Sequence, residues 1–366
     1  MILNRYRCFT KKFGHIKNNQ HYFLRTVLVP VAWSNQGFVR LIMITLFFVL
    51  AGCSSIERAT NSILPKTPPS ILHAAVVADE PTAVLTARDM LARGGNAADA
   101  AVGLYFTLAV TFPSQAGIGS GGTCMVYDPQ VKTVKVLDFS HTPLGVVGDK
   151  LSIPMSVRGM AWLHARFGRL SWASLLNKIA SIAREGVTTS RGFTNDLKSE
   201  VPRLANDANA LSLFFDRLGL PLGEGIILQQ IELGAVLGNI AARGAGVFYR
   251  GALAKRIIST AGRQGQKIDH TALSIAKPRW LPAKEVRLQG KSIFFPVTEN
   301  QDRAAAFWQR FSKKRDLTFL KTRTGAVDLA KALGPASAKE ATANVGSGFV
   351  VVDGDGLAVV CSVTTG

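Results

Sequence analysis

From residue 96 to residue 110 the chain reads N-A-A-D-A-A-V-G-L-Y-F-T-L-A-V, a helix-forming run that is apolar on nearly every side. A surface helix carries one apolar stripe, whereas a helix apolar all round has to be enclosed by other elements. This run therefore demands a layered body, and the flanking sequence supplies layers. A short strand is expected over residues 74–78. Asp79 is placed to cap a helix with Pro81 in its first turn, which ends at Gly94-Gly95. Strands follow over 123–127 and 134–139, two helices over 154–186, and a helix-rich stretch over 201–262 with a turn near Gly244-Ala-Gly246. Strand character returns over 280–296. The last residues give two strands, 349–352 and 357–363, around a D-G-D-G turn, a hairpin by its turn chemistry. Strands at both ends with helices between them fit one layered domain better than two independent ones.

The front of the chain has a different character. Residues 1–56 hold no Asp or Glu, while Arg5, Arg7, Lys11, Lys12, Lys17, Arg25 and Arg40 are basic. The mostly apolar run after Arg40, residues 41–51, is too short for a bilayer span of roughly 20 residues. It has the length of the apolar region of an export signal. It leads into Leu50-Ala51-Gly52-Cys53-Ser54-Ser55, which resembles a bacterial lipobox with Cys53 as the acylated residue. The expectation is a signal over 1–52 and a lipid-anchored, Pro-rich tether over 53–70. Ser54 lacks the acidic character that favours inner-membrane retention, so the outer membrane, facing the periplasm, is expected rather than the inner one.

Composition enters through charge. The full chain has a net charge of +19, and removal of 1–52 leaves 36 basic against 24 acidic residues, a net of +12. No nucleic-acid motif uses this charge, and no nucleic-acid partner is expected. The densest cluster, Arg303, Arg310, Lys313, Lys314, Arg315, Lys321 and Arg323, reads first as a solvated face, with attraction to anionic lipid as the second reading. Cys124 and Cys361 lie in apolar strand-like runs. They are expected as buried thiols, or as a disulfide if export is real and their strands are adjacent.

Gly117, Gly119 and Gly122 fit G-x-G-x-x-G. A dinucleotide site needs that pattern between a strand and a helix, but here a helix precedes it and a strand follows. No cofactor and no metal is expected, and tight backbone approach explains these glycines as well as a ligand does.

Several stretches together resemble the γ-glutamyltransferase family of N-terminal-nucleophile hydrolases. They are Gly94-Gly-Asn-Ala-Ala-Asp-Ala-Ala101, the glycine loop, Met125-Val-Tyr-Asp128 and Ile153-Pro-Met-Ser-Val-Arg-Gly159. His164-Ala-Arg-Phe-Gly168, Ala183-Arg-Glu-Gly186, Leu213-Phe-Phe-Asp216 and Phe248-Tyr-Arg-Gly251 continue in family order. The resemblance implies an α+β fold, a four-layer αββα sandwich incomplete at its C-terminus. It assigns 71–342 to a large-subunit-like region and 343–366 to the start of a small-subunit-like region.

In such a family a self-cleaving threonine becomes the nucleophile for γ-glutamyl transfer or hydrolysis of glutathione-like donors. The V-V-D-G-D-G register puts Gly346 at that place, with Ser347 beside it and Thr364 where a second threonine supports the nucleophile. Ser347 would serve only after a one-residue slip, which turns side chains to the opposite face. The clamp for a substrate carboxylate would follow Asp138-Phe139, where Ser140-His141 stands, and Gly366 takes the place of a substrate-binding asparagine. No substrate-binding residue is therefore assigned.

The expectation is an exported, lipid-anchored family member that has lost activity. Its alternatives are an active amidase or acylase using Ser347, completed by a separately encoded small-subunit chain, and a non-catalytic envelope scaffold. A γ-glutamyl small molecule stays open as a ligand.

Overall fold

In the computed structural model, the described residues are 74–140, 142–143, 152–263, 265–288, 290–297 and 346–364, with the isolated positions 322 and 324. The expectations for residues 1–73, including Cys53, and for His141, Gly366 and the basic cluster around 303–323 lie outside them.

Chain order starts with strand β1 (Ala75–Ala78), helix α1 (Pro81–Ala92) and helix α2 (Ala97–Thr111). Strands β2 (Gly121–Asp128) and β3 (Thr133–Asp138) follow. Seven further helices come next, from α3 (Ser156–Phe167), α4 (Trp172–Glu185), α5 (Arg191–Leu204) and α6 (Ala208–Phe214) to α7 (Ile231–Arg243), α8 (Gly246–Tyr249) and α9 (Gly251–Arg263). Helix α10 (His270–Ile275) leads into β4 (Arg279–Pro282), β5 (Lys284–Leu288) and β6 (Lys291–Phe295), and the terminal hairpin is β7 (Gly346–Val352) with β8 (Ala358–Thr364).

Six strands make one antiparallel sheet in the order β1-β7-β8-β2-β3-β4, while β5 and β6 form a ribbon of their own. The terminal hairpin thus sits inside the sheet, between β1 and β2. Register places Ala78, Phe349, Cys361, Cys124, Leu137 and Trp280 in one row. Directly opposed residues of an antiparallel pair share a face, and this row faces the helices. The adjacent row, Val77, Val350, Val360, Met125, Val136 and Leu281, points to the other side.

Helix α2 is buried along its whole length. The hairpin strands pack on one side of it, α4 on another, and α1 and α3 flank it. That enclosure is what its all-round apolar sequence requires. Its first turn is fixed by a reciprocal capping box in which Asn96 Oδ1 accepts from the Ala98 and Asp99 N–H groups and Asp99 Oδ2 accepts from the Asn96 N–H. Asp99, fully buried, also accepts from the Arg169 and Leu170 N–H groups.

Two expectations are corrected. The cap of α1 is Glu80, whose side chain accepts from the Ala83 N–H, and Asp79 is engaged elsewhere. The helical stretch expected from residue 201 begins at Arg191 behind a Ser190 cap, because Ser190 Oγ satisfies the Phe193 N–H.

The strands carrying Cys124 and Cys361 are adjacent, and the two cysteines face each other across β2 and β8 with Cα atoms 4.1 Å apart. They form a disulfide buried beneath α2.

Candidate functional site

The site is the open end of the hairpin, where β7 begins and β8 ends. Strand alternation sends Gly346 and Ser347 to opposite faces of the sheet. Gly346 stands opposite Thr364, which pairs in turn with Gly121, and this row lies on the face away from the helices. The Thr364 Oγ1 is 3.5 Å from the Gly121 carbonyl oxygen.

Backbone approach at Gly346 is very close. A Cβ built there would stand 2.1 Å from the Val363 carbonyl oxygen and 3.1 Å from the Thr364 Cα. Real Cβ contacts are never so short, so glycine is a requirement of this strand spacing rather than a neutral choice. The first residue of β7 brings no hydroxyl and has no room to gain one without moving β8.

Ser347 is 4% exposed and turns towards the helical side. Its hydroxyl donates to Asp79 Oδ2 at 2.8 Å. Asp79 joins β1 to α1 and lines a cleft of about 480 Å³ with Thr82, Thr188, Ser190, Arg191 and Glu224. Arg191 and Glu224 pair with each other at 2.9 Å on the cleft wall. The structure therefore brings Ser347 and Thr364 to the same end of the hairpin but aims them at opposite faces.

The clamp region is built differently from the sequence expectation. The Ser140 N–H donates to Asp138 Oδ1 at 3.0 Å, and Arg279 from β4 donates to Asp138 Oδ2 at 2.6 Å. Burial pushes the Asp138 carboxyl up, but the Ser140 and Arg279 bonds outweigh it and hold the pKa below the ordinary carboxylate value. The Arg279 guanidinium is thus bound to the carboxylate two residues before Ser140. Arg279 was not a candidate in the sequence because the contact bridges 141 residues. Asp79 was singled out as a helix cap, and nothing in its neighbours signals the bond to Ser347.

The glycine loop is held by its carbonyls. The Tyr105 hydroxyl donates to the Gly117 carbonyl at 2.5 Å, and Ser156 Oγ donates to the Ile118 carbonyl at 3.0 Å. Burial raises the Tyr105 hydroxyl pKa to about 12, so it stays protonated as a donor. Tight approach holds at Gly122, whose Cβ would meet the Ser362 carbonyl oxygen at 2.5 Å. Gly119 has open space around it, and at Gly117 the nearest atom would be 4.0 Å away, so that expectation fails for these two. Among the described residues no group of three or more His, Cys, Asp or Glu side chains is placed to hold a metal ion.

The family model described as gamma-glutamyltranspeptidase matches residues 83–333, and the hairpin lies beyond that span. A glutathione hydrolase proenzyme of Pseudomonas aeruginosa is 30% identical over 268 residues, 68% of this chain and 46% of that protein. Scoloptoxin SSD14 of Scolopendra dehaani is 30% identical over 203 residues, 51% of this chain and 35% of that protein. The chain thus spans less than half the length of these relatives. The solved Helicobacter pylori gamma-glutamyltranspeptidase superposes with a TM-score of 0.67 at 23% identity, covering 77% of this chain and 86% of that one, a likeness of fold.

Proposed function

Since this chain belongs to the gamma-glutamyltranspeptidase family of N-terminal-nucleophile hydrolases, we propose that it is an exported, lipid-anchored member that keeps the family's body without its γ-glutamyl chemistry. One observation carries the reading. At the first position of β7, where the family's nucleophile would stand, Gly346 offers no hydroxyl and a Cβ would collide with Val363. Nucleophilic acyl transfer needs a hydroxyl or thiol made competent by a base. The carboxylate clamp is missing in the same way: Ser140 stands at its place, and Arg279 is already bound to Asp138. Thr364 keeps its supporting position with no nucleophile to support.

Export is supported by the buried Cys124–Cys361 disulfide, since such bonds form and persist in oxidising compartments. The basic N-terminus and the lipobox-like Cys53 support the same reading, a protein of the cell envelope. We assign it to the periplasmic face of the outer membrane, held by acyl chains on Cys53. Its role there is that of a non-catalytic scaffold, with a γ-glutamyl compound as a candidate ligand and no nucleic acid as partner.

A second reading rests on the Ser347–Asp79 bond. A hydroxyl donating to a carboxylate is a contact that a general base makes, and it would suit an amidase or acylase completed by a separate chain. Burial of Ser347 on the helical face ranks this second, because an acyl substrate has to reach the oxygen.

The test is the intact mass of protein extracted from membranes and reduced, together with hydrolysis of a chromogenic γ-glutamyl anilide. One acylated chain starting at Cys53 with no turnover is expected. A new N-terminus at Gly346 or Ser347, or release of glutamate, overturns the proposal.

A further inference from the structure

We propose that the paired helices α9 and α10 form a docking face for anionic phospholipid headgroups. Residues 250–277 hold six basic residues and one acidic residue, Asp269. Asp269 is occupied as the cap of α10, where its carboxylate accepts from the Ala272 N–H at 2.7 Å. On α9, Ala254 and Ala261 are buried, while Lys255, Arg256 and Arg263 are exposed. Spacings of 1, 7 and 8 residues at about 100° per residue place these three within one half of the helix surface. Lys267 and Lys277, on either side of α10, are exposed as well. Among the described residues none of these five pairs with a carboxylate.

The same pair of helices also exposes an apolar side chain. Ile275, at the end of α10, is 61% exposed. Exposed basic side chains together with an exposed aliphatic one are the kinds of side chain that helices in the headgroup layer present. The face is also held firmly in place. Arg158 of α3 stacks 3.8 Å above the Tyr249 ring and donates to the Ala276 and Ser274 carbonyls, which fixes the end of α10 to the core.

Lipid is favoured over nucleic acid for two reasons. Residues 250–277 contain no Phe, Tyr or Trp, so no aromatic platform is available for stacking bases. The buried disulfide belongs to compartments outside the cytoplasm. In this respect the inference rests on the export proposed above. Export is checked separately, by finding the protein in the envelope fraction.

The experiment compares binding of the full chain to vesicles of phosphatidylcholine with and without phosphatidylglycerol, read as the ratio of the two partition coefficients. An acyl anchor contributes equally to both and cancels. A ratio well above one that collapses at high salt is expected. The triple substitution Lys255→Gln, Arg256→Gln, Arg263→Gln should lower it by about a hundredfold, on the order of fivefold per charge. Circular dichroism matched to the parent shows that the variant is folded, and single substitutions in a folded background replace it if it is not. A ratio near one, or a folded variant that keeps the parent ratio, overturns the proposal. Displacement of the protein from anionic vesicles by an equal charge of single-stranded DNA also overturns it, and reassigns the face to nucleic acid. If inorganic phosphate displaces it equally well, the face is a site for free phosphate instead.

Discussion

The Asp353 carboxylate accepts from the Ala97 N–H at 2.9 Å, joining residues 256 positions apart. Its other oxygen accepts from the Asp355 and Leu357 N–H groups within the hairpin turn. One buried side chain thus shapes the turn between β7 and β8 and caps the first turn of α2. Negative charge at a helix N-terminus also complements the helix dipole.

Asp353→Ala leaves buried N–H groups unsatisfied at the turn and at α2. A loss of about 3 kcal/mol is expected, since bonds to charged groups contribute about 1.5–3 kcal/mol. Urea unfolding measures it, and a change below about 1 kcal/mol would show that water replaces the carboxylate.

Gly346→Thr introduces a hydroxyl at the first position of β7 but drives its Cβ into the Val363 carbonyl. Overpacking of this kind costs about 1–3 kcal/mol. We expect a lower melting temperature with neither self-cleavage nor γ-glutamyl hydrolysis. A stable, active Gly346→Thr protein would mean that β7 and β8 separate readily.

Replacing both Cys124 and Cys361 with Ala should destabilise the protein by about 2–4 kcal/mol, as removal of a long-range cross-link typically does. In the parent, a thiol reagent should label neither cysteine until the protein is both unfolded and reduced. Labelling of the native protein would mean that the pair is reduced.

The pH dependence follows from Asp138. Its folded pKa lies below the unfolded value, so its contribution is present above the unfolded carboxylate pKa of about 3.9 and is lost as pH falls through the lower folded value. Arg279→Gln should therefore cost stability at neutral pH, and the difference from the parent should fade in acid. The exposed Arg279 end screens the pair, which keeps the effect to about 1 kcal/mol. A difference that grows on acidification would reverse the assignment.

Local chemistry made part of this fold legible. The enclosure of α2 follows from its all-round apolar run, while the capping box of Asn96 with Asp99 emerged only with the structure. The hairpin was visible in its D-G-D-G turn. Its insertion between β1 and β2 was not, because strand order depends on pairings between residues far apart in sequence. Two adjacent acids stand before Pro81, and sequence alone could not say that Glu80 caps the helix while Asp79 reaches Ser347. At the site, that Gly346 carries no hydroxyl could be read directly. The lack of space for one could not, because Val363 becomes its neighbour only once β8 folds back.

The disulfide changes what a break in the chain would mean. Cys124 and Cys361 are 237 residues apart in sequence, and their bond closes everything between them into a covalent ring. One severed peptide bond inside that ring opens it without releasing a piece. A protease that nicks the segment before β7 would leave a particle of unchanged mass beyond one added water, its hairpin still seated in the sheet. Within the ring, two cuts, or one cut followed by a reductant, are needed before any part can leave.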